Sequence, residues 1–577
     1  MNTFSGRFLS RLPLLLLLWL YFLVPVFFQP LMGIRGFLLL VLFQPFAVAL
    51  VLTLAASLRR WIHAVVLTLC SLIFFGELFC LFAQGDRISS PMMVIALQTN
   101  PGEAGEFLSM SVGPLLGALG VMAVVIGAYL VLSAMWRRFI ERRISSMPRV
   151  VGVAFAACLL AGVCLSVYDM VRVSRTSFRE FWMRQCALET ASAPMVYYYA
   201  VKDIRVMFDP ARYDRLERAI AAEDVHAADP GEDITVVYII GESFIKSRSE
   251  IYGYFLPTTP VADSLRREGR LIAFSNVITP ANFTIDAYRL LHSLHDAGSE
   301  DVYEDSPLLA AVMKKAGFST AMYDNQSLRT EPGRFDFGTT AFMNKRTIFE
   351  ACFDQTSDTL CDYDLDFTRL YSVSPSRGRD FVVYHLMGQH FEFDERYPAS
   401  DAVFTPDNYV HIPGLDATAR GHMAAYDNAL LHGDKVLASV IDRLTDVNAV
   451  VVYVPDHGEE LYDFRIHKGR EVNSREPGVV KVNYEVPLFI WVSPEYASRH
   501  PERVEAMRLC EDKPVYNSDV THTILDLAGV ECGSYMPALS LLRPDTARTA
   551  SRRLYGSGYD YDRNRTAIDS VKLLYRR

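Results

Sequence analysis

Three apolar runs of the sequence are each followed closely by side chains that can bind a metal. The runs are residues 234–241, 380–387 and 448–455, and the side chains that follow them are Glu242, His390, Asp456 and His457. If the runs are parallel strands, their carboxyl ends meet at one edge of a sheet, which is where such sheets bind ligands. Carboxylate oxygens with imidazole nitrogens suit Zn²⁺ or Mn²⁺. One such residue alone is more often a solvated strand end, but their joint placement favours a metal site.

A catalytic Asp-His pair with a serine or cysteine nucleophile is the rival interpretation. It is disfavoured because no G-x-S-x-G motif occurs near a strand end. In addition, none of the cysteines that come after the apolar N-terminal third directly follows a predicted strand. Thr284 instead begins a helical pattern over residues 284–296, at the end of a helix that attracts anions. An ordinary N-cap threonine is the simpler reading. A metal beside the hydroxyl would lower its pKa and make it a nucleophile.

The elements that must position these residues alternate between apolar strands and helical patterns from residue 234 onwards. Apolar runs without polar alternation are typical of strands buried on both faces of a sheet. The sequence therefore predicts an α/β domain with a mostly parallel sheet. The predicted strands are 234–241, 271–277, 318–324, 380–388, 448–456 and 486–493, and the predicted helices are 284–296, 306–316, 418–446 and 518–528.

The first third of the chain is far more apolar than the rest. It accounts for a hydrophobic content of 51%, which is high for a soluble protein. Five stretches there approach the roughly 20 residues that span a bilayer, and no small-residue cleavage site marks the first as a signal peptide. We predict a bundle of five transmembrane helices over about 12–28, 36–57, 61–83, 111–135 and 150–168.

Arginines between these stretches set the orientation. They precede the first span, separate the second from the third and fill the loop at 137–149, whereas the alternate loops hold only Arg35 and Arg87. The positive-inside rule places the N-terminus in the cytoplasm and the chain after residue 170 outside it. We expect a transmembrane domain over 1–170, a membrane-surface connector and linker over 171–230 and an exported catalytic domain over 231–577. The net charge of −9, without a basic patch, argues against nucleic acid as a partner.

Five of the nine cysteines fall after the apolar stretches. In an oxidising compartment, closeness along the chain makes Cys352–Cys361 and Cys510–Cys532 plausible disulfides and leaves Cys186 over. Buried free thiols are the alternative.

Several segments together resemble a known family, the bacterial phosphoethanolamine transferases, and within it the CptA-type branch that modifies the lipopolysaccharide core. The resemblance covers nearly the whole chain in order. Its segments are 97–109, 240–260, 385–398, 426–428 and 455–463, with Thr284 and His467 between or beside them. Such enzymes combine five transmembrane helices of the inner membrane with a periplasmic domain of alkaline-phosphatase/sulfatase-like fold.

The resemblance implies a site and a reaction. Zinc, with Mn²⁺ as an alternative, would be held by four residues, of which Thr284 is also the nucleophile. Thr284 would take phosphoethanolamine from phosphatidylethanolamine, release diacylglycerol and pass the group to lipopolysaccharide, on a core heptose or a lipid A phosphate. The implied ligands are Glu242, Thr284, Asp456 and His457; the implied substrate contacts are His390, His467, Asn100 and Glu103, the two histidines also assisting proton transfer.

Two positions depart from the family pattern: Pro455 stands where serine is usual before the Asp-His pair, and Leu256 where arginine is usual. Neither is an implied ligand. Other functions stay open: a glycerophosphate transferase using phosphatidylglycerol, a sulfatase- or phosphatase-like hydrolase, or a membrane sensor. A sulfatase is disfavoured because residues around Thr284 lack the C/S-x-P-x-R context. We expect a multi-pass monomer in the bacterial inner membrane.

Overall fold

The computed structural model describes residues 4–24, 44–84, 88, 111–143, 149–174, 210–299, 301–327, 329–330, 334–335, 343, 345–376, 378–471, 474–555 and 557–575. The chain forms two compact units, Met1–Phe208 and Asp209–Arg577.

The first unit is helical. Each of the five predicted spans overlaps one of its helices α2 to α6. The segments Arg60–Ala83 and Val112–Arg138 are long and apolar enough to cross a membrane, whereas the described apolar parts Leu12–Leu23, Pro45–Ala56 and Val150–Cys164 are shorter. The helices are α1 (Phe4–Leu9), α2 (Leu12–Leu23), α3 (Gln44–Ala56), α4 (Arg60–Gln84), α5 (Val112–Arg143) and α6 (Arg149–Ser174).

The strands of the second unit form one large sheet and several two-stranded pairs. They are β1 (Val225–Ala227), β2 (Ile234–Gly241), β3 (Leu271–Ala273), β4 (Val277–Ile278), β5 (Ser319–Asp324), β6 (Arg329–Thr330), β7 (Arg334–Phe335), β8 (Gln355–Thr356), β9 (Arg379–His385), β10 (Ala449–Pro455), β11 (Phe489–Val492), β12 (Val515–Tyr516) and β13 (Val530–Cys532).

The large sheet has seven strands in the order β3-β11-β10-β2-β9-β5-β8. The five strands from β10 to β8 run parallel to one another. Strand β11 runs antiparallel to both of its neighbours. The sheet is therefore mixed, and the direction of β11 could not be predicted from sequence, because a buried apolar run looks the same in either direction.

Helices cover both faces of this sheet, which explains why the strand sequences are apolar throughout. Alternate residues of β2 enter two different cores: Tyr238 and Ile240 pack into one, Val237 and Ile239 into the other. The helices are α7 (Pro210–Ala222), α8 (Pro260–Arg267), α9 (Thr284–His292), α10 (Leu309–Lys315), α11 (Arg346–Cys352), α12 (Asp364–Leu370), α13 (Ala417–Ile441), α14 (Pro477–Tyr484), α15 (Pro494–Arg499), α16 (Pro501–Leu509), α17 (Val520–Ala528) and α18 (Tyr561–Asp569).

Helix α7 belongs to the second unit. Its residues Leu216 and Ile220 are buried in the same core as Tyr238. The second unit therefore starts upstream of residue 231, the predicted start of the catalytic domain. Much of the predicted connector, residues 175–209, lies outside the described residues.

The predicted disulfides are not formed in this structure, in which Cys352, Cys361, Cys510 and Cys532 are all free thiols. Cys352 ends α11 within the core on one face of the sheet, whereas Cys361 packs against the core on the other face. Cys352 and Cys361 are only nine residues apart in sequence but lie on opposite faces of the sheet. Cys510 follows α16, and Cys532 lies in β13, which pairs with β1. Cys186 lies outside the described residues.

Candidate metal centre

The ends of three adjacent strands bring the predicted ligands together. Strands β10, β2 and β9 are neighbours in the sheet, and Pro455 at the end of β10 pairs with Gly241 at the end of β2. Glu242 and Asp456 follow these residues directly. Glu242, Asp456 and His457 are fully buried, and each offers a donor atom within 4.8 Å of the others. The closeness of these donor atoms supports the prediction that residues following the strands meet at one edge of the sheet.

Thr284 lies against this group from a separate helix. It is the first residue of α9, and the capping position is taken by Phe283, so Thr284 is no ordinary N-cap. Its Oγ1 lies 3.3 Å from Glu242 Oε2 and 3.2 Å from His457 Nε2. Tyr288 and Leu291, on the same helix, are buried against the sheet and hold the helix there.

Ser243 connects the two strand ends. Its backbone has a φ of 54°, in the left-handed region that strains a residue with a side chain. In this conformation its N–H donates to Asp456 Oδ1 at 3.1 Å, and its hydroxyl donates to Glu242 Oε1 at 2.8 Å. Ser243 thereby orients both carboxylates. Hydrogen bonds from residues behind the metal ligands commonly have this effect.

Gly388 lets the loop after β9 pass close to Glu242. A Cβ at this position would lie 2.7 Å from the backbone nitrogen of Glu242, and the φ of +49° also favours glycine. The next residue, Gln389, donates its N–H to the carbonyl of Glu242 at 3.0 Å.

The group fits a divalent cation. Among the described residues, Asp456 Oδ2 is buried without a hydrogen-bond partner, which is costly unless a cation binds it. His457 Nδ1 lies 2.8 Å from the carbonyl of Gly458, an arrangement that places the proton on Nδ1 and leaves Nε2 to bind a metal. Two carboxylates, a hydroxyl and an imidazole are donors that Zn²⁺ and Mn²⁺ both accept.

Burial and neighbouring charges set the protonation of the group. Burial opposes ionisation of Glu242, but the charges of His457, His390 and Arg470 outweigh it and lower the pKa of this carboxyl to about 2. Burial and the charge of Glu242 raise the pKa of Asp456 well above its usual range. Burial and Arg470 lower the pKa of His457 to about 3, so its imidazole is neutral. The pKa values of the two carboxyl groups are thus shifted in opposite directions, Glu242 downwards and Asp456 upwards.

His390 lies near the metal group, as predicted. It follows Gly388 and Gln389 in the loop after β9, and its N–H donates to the carbonyl of Met387 at 3.0 Å. Burial lowers the pKa of His390 to about 4, against the opposing charge of Glu242. Its Nδ1 is buried without a hydrogen-bond partner among the described residues.

His467 makes different contacts. Its Nδ1 lies 3.3 Å from Glu460 Oε2, and the hydrogen bond to Glu460 raises the pKa of the imidazole. Arg465 donates to the same Glu460 at 2.6 Å and also binds Glu471, so this acidic cluster already has a cation. Within the described chain, no hydrogen bond joins His467 to Glu242, Asp456 or Thr284. Asn100 and Glu103, the other predicted substrate contacts, lie outside the described residues.

Two further residues contact the metal group and were not found from sequence. Gln326 Nε2 donates to the carbonyl of Leu386 at 2.8 Å and lies 3.4 Å from Glu242 Oε2. It follows the end of β5, so the strand-end rule could have revealed it. Arg470 contacts the imidazole of His457 from a loop in which no periodic pattern points to it.

Comparisons with known proteins agree with this architecture. The Sulfatase family model matches residues 234–530. Phosphoethanolamine transferase EptC of Escherichia coli (strain RS218) is 28% identical over 495 residues, which cover 83% of this chain and 82% of that protein. Phosphoethanolamine transferase CptA of Salmonella typhimurium is 28% identical over 496 residues, with the same shares covered.

A solved structure extends the match to both units. It is the integral membrane protein lipooligosaccharide phosphoethanolamine transferase A (EptA) from Neisseria meningitidis. The TM-score is 0.60 at 18% identity, over 94% of this chain and 98% of that one, which shows a shared fold. The resemblance to phosphoethanolamine transferases is confirmed, and the chain belongs to the Sulfatase family.

Proposed function

We propose that this protein is a metal-dependent transferase that moves phosphoethanolamine from phosphatidylethanolamine to lipopolysaccharide. The observation that carries the proposal is the position of Thr284, whose hydroxyl lies 3.2 Å from His457 Nε2 and 3.3 Å from Glu242 Oε2. A hydroxyl that lies among metal ligands is a candidate nucleophile, because a bound metal can activate it. The similarity to EptC and CptA, both named phosphoethanolamine transferases, supplies the group that is transferred.

The cation is proposed to be Zn²⁺, held by Glu242, Thr284, Asp456 and His457, with Mn²⁺ as the alternative that the same donors accept. A bound cation of this kind lowers the pKa of a coordinated hydroxyl and offsets negative charge on a phosphoryl group.

In the first half-reaction, Thr284 Oγ1 forms a bond to phosphorus while the bond from phosphorus to the glycerol oxygen breaks. The proton of the threonine hydroxyl ends on that glycerol oxygen, and diacylglycerol leaves. His390 is proposed to carry this proton, since its imidazole is neutral and lies near Glu242. The product on the protein is phosphoethanolamine-threonine.

In the second half-reaction, an oxygen of the acceptor forms a bond to phosphorus and the bond from phosphorus to Thr284 breaks. The threonine oxygen regains a proton from the acceptor. A core heptose hydroxyl or a lipid A phosphate is the proposed acceptor, and His467, Asn100 and Glu103 are proposed to contact the substrates.

The proposed location is the bacterial inner membrane. The apolar helices α2 to α6 and the arginines that separate them support five spans, a cytoplasmic N-terminus and a periplasmic catalytic unit. We propose that the enzyme acts as a monomer. Fusions of a periplasm-dependent reporter after residue 30 and after residue 143 test the orientation: only the first fusion is expected to be active.

Purified enzyme given labelled phosphatidylethanolamine or phosphatidylglycerol tests the function. We expect diacylglycerol from phosphatidylethanolamine alone, labelled phosphoethanolamine on added lipopolysaccharide, and no turnover by Thr284→Ala. Diacylglycerol from phosphatidylglycerol would instead indicate a glycerophosphate transferase. Steady release of free phosphoethanolamine into water, with or without lipopolysaccharide, would indicate a hydrolase.

A further inference from the structure

Arg470 places a guanidinium beside the proposed nucleophile. Its NH1 contacts His457 Nε2 and lies 3.2 Å from His457 Nδ1, and it donates to the carbonyl of Asn282 at 3.3 Å. Asn282 is two residues before Thr284 in the chain. The guanidinium of Arg470 is therefore held where it faces both the imidazole of His457 and the start of α9.

Two neighbours fix the orientation of this guanidinium. The Nε of Arg470 pairs with Glu459 Oε2 at 3.3 Å, and Glu459 is only 2% exposed. The Cζ of Arg470 lies over the ring of Phe283, 5.3 Å from the ring centre. The side chain is thus anchored at its Nε and against Phe283, while its NH2 makes no hydrogen bond to another described residue.

The charges around Thr284 explain why a fixed cation is needed there. Glu242 lies 3.3 Å from the hydroxyl of Thr284, and Asp456 and Glu459 are two further buried carboxyl groups in the loop after β10. A phosphodiester is an anion, and its negative charge concentrates on the non-bridging oxygens during displacement. A single divalent cation does not offset all of these negative groups, and a guanidinium adds one more positive charge, with two parallel donors that match two phosphate oxygens.

We propose that Arg470 is a catalytic residue that binds the non-bridging oxygens of the phosphodiester, and that Glu459 is the positioning residue that aims it. The inference rests on the proposed transferase function. As the bond from Thr284 Oγ1 to phosphorus forms and the bond to the glycerol oxygen breaks, Arg470 donates hydrogen bonds and loses no proton. With His457 Nε2 given to a cation, the NH1 and NH2 groups of Arg470 would be left to donate to the substrate, while Nε stays paired with Glu459.

Arg470→Ala in the full-length, zinc-loaded enzyme tests the proposal. With phosphatidylethanolamine as donor, kcat/KM is expected to fall by about 100-fold or more, the usual effect of removing one transition-state donor. Arg470→Lys should recover only a small part, because an ammonium cannot bind two oxygens in parallel. Zinc content should stay at the wild-type level in both variants.

Two further measurements separate a direct role from a structural one. Millimolar guanidinium chloride should restore part of the rate of Arg470→Ala and none of the rate of Thr284→Ala. Glu459→Gln should keep its zinc and lose about tenfold in kcat/KM, the effect of a neighbour that orients a catalytic group. Arg475→Ala is the matched control, since Arg475 is an exposed arginine of the same loop that donates to the carbonyl of Ser557.

Binding of free phosphoethanolamine, measured by calorimetry, gives a readout that does not depend on turnover. We expect the affinity of Arg470→Ala to be about tenfold weaker than that of wild type, the loss of a charge-assisted contact. Equal affinities, a wild-type kcat/KM, or a loss of rate that parallels a loss of zinc would each overturn the role of Arg470. If wild type itself releases no diacylglycerol from phosphatidylethanolamine, the proposed function fails, and the binding comparison alone decides the role of Arg470.

Discussion

At the scale of single residues, the centre combines ligands that have opposite protonation preferences. The low pKa values of Glu242 and His457 leave the carboxyl ionised and the imidazole neutral, while burial and the charge of Glu242 raise the pKa of Asp456. Ser243 fixes the two carboxylates with its N–H and its hydroxyl. The site is therefore prepared for a positive ion before the ion arrives.

Metal binding should release a proton at pH values below the raised pKa of Asp456, because only this carboxyl must change its protonation. The raised pKa of Asp456 means that its proton competes with the metal, so affinity should increase with pH until that carboxyl is ionised without metal. Glu242, with a pKa of about 2, and His457, with a pKa of about 3, add no dependence above about pH 4. Calorimetric titration of chelator-treated protein with Zn²⁺, in buffers of different ionisation enthalpy, counts the protons. An affinity that is constant from pH 5 to 8 with no proton released would contradict this assignment.

At the scale of elements, buried Arg248 joins the loops that carry the ligands. Its Nε donates to Asp463 Oδ1 at 2.8 Å, in the loop after β10, and its NH1 donates to Asp427 Oδ1 at 3.2 Å, on α13. Its NH2 donates to the carbonyl of Leu461 at 2.7 Å. The loops after β2 and β10 are thus tied to each other and to a helix on one face of the sheet.

Arg248→Ala should destabilise the second unit by about 3–5 kcal/mol, because it leaves two buried carboxylates without their cation. Hydrogen–deuterium exchange of peptides from β2 and β10 measures this loss as faster global exchange. Arg267→Ala is the control: Arg267 pairs with Asp263 at 3.0 Å but its side chain is 72% exposed, so the expected change is below about 0.5 kcal/mol. Equal exchange in the two variants would contradict the role given to Arg248.

The strand and helix patterns of the sequence predict one part of the site. Glu242, Asp456 and His457 follow buried strands, and Thr284 begins an amphipathic helix, so local patterns place them at one sheet edge. Arg470 comes from a loop whose path is set by tertiary contacts such as the pair with Glu459, and no local pattern reveals it. The direction of β11 was likewise hidden, since a buried strand is apolar whether it runs parallel or antiparallel.

At the scale of the whole molecule, the chain combines two units of different character. A helical unit with apolar spans and an α/β unit with a buried polar centre lie in one chain, an arrangement suited to a donor that resides in a bilayer. The second unit is stabilised by its two apolar cores on either face of the sheet rather than by disulfides.

Protein isolated without reductant should therefore carry free thiols throughout this unit. After denaturation, alkylation is expected at Cys352, Cys361, Cys510 and Cys532, and reductant should leave the unfolding temperature unchanged. Peptide mass spectrometry gives the result directly. A linked peptide that contains Cys352 and Cys361 would require these residues to leave opposite faces of the sheet, and would contradict the fold described.

The identity of the nucleophile is tested most directly by peptide mass spectrometry of zinc-loaded enzyme that has been incubated with phosphatidylethanolamine in the absence of acceptor. We expect a phosphoethanolamine adduct on Thr284 that disappears when lipopolysaccharide is added and never forms in Thr284→Ala. An adduct on any other residue, or diacylglycerol release by Thr284→Ala at the wild-type rate, would contradict it.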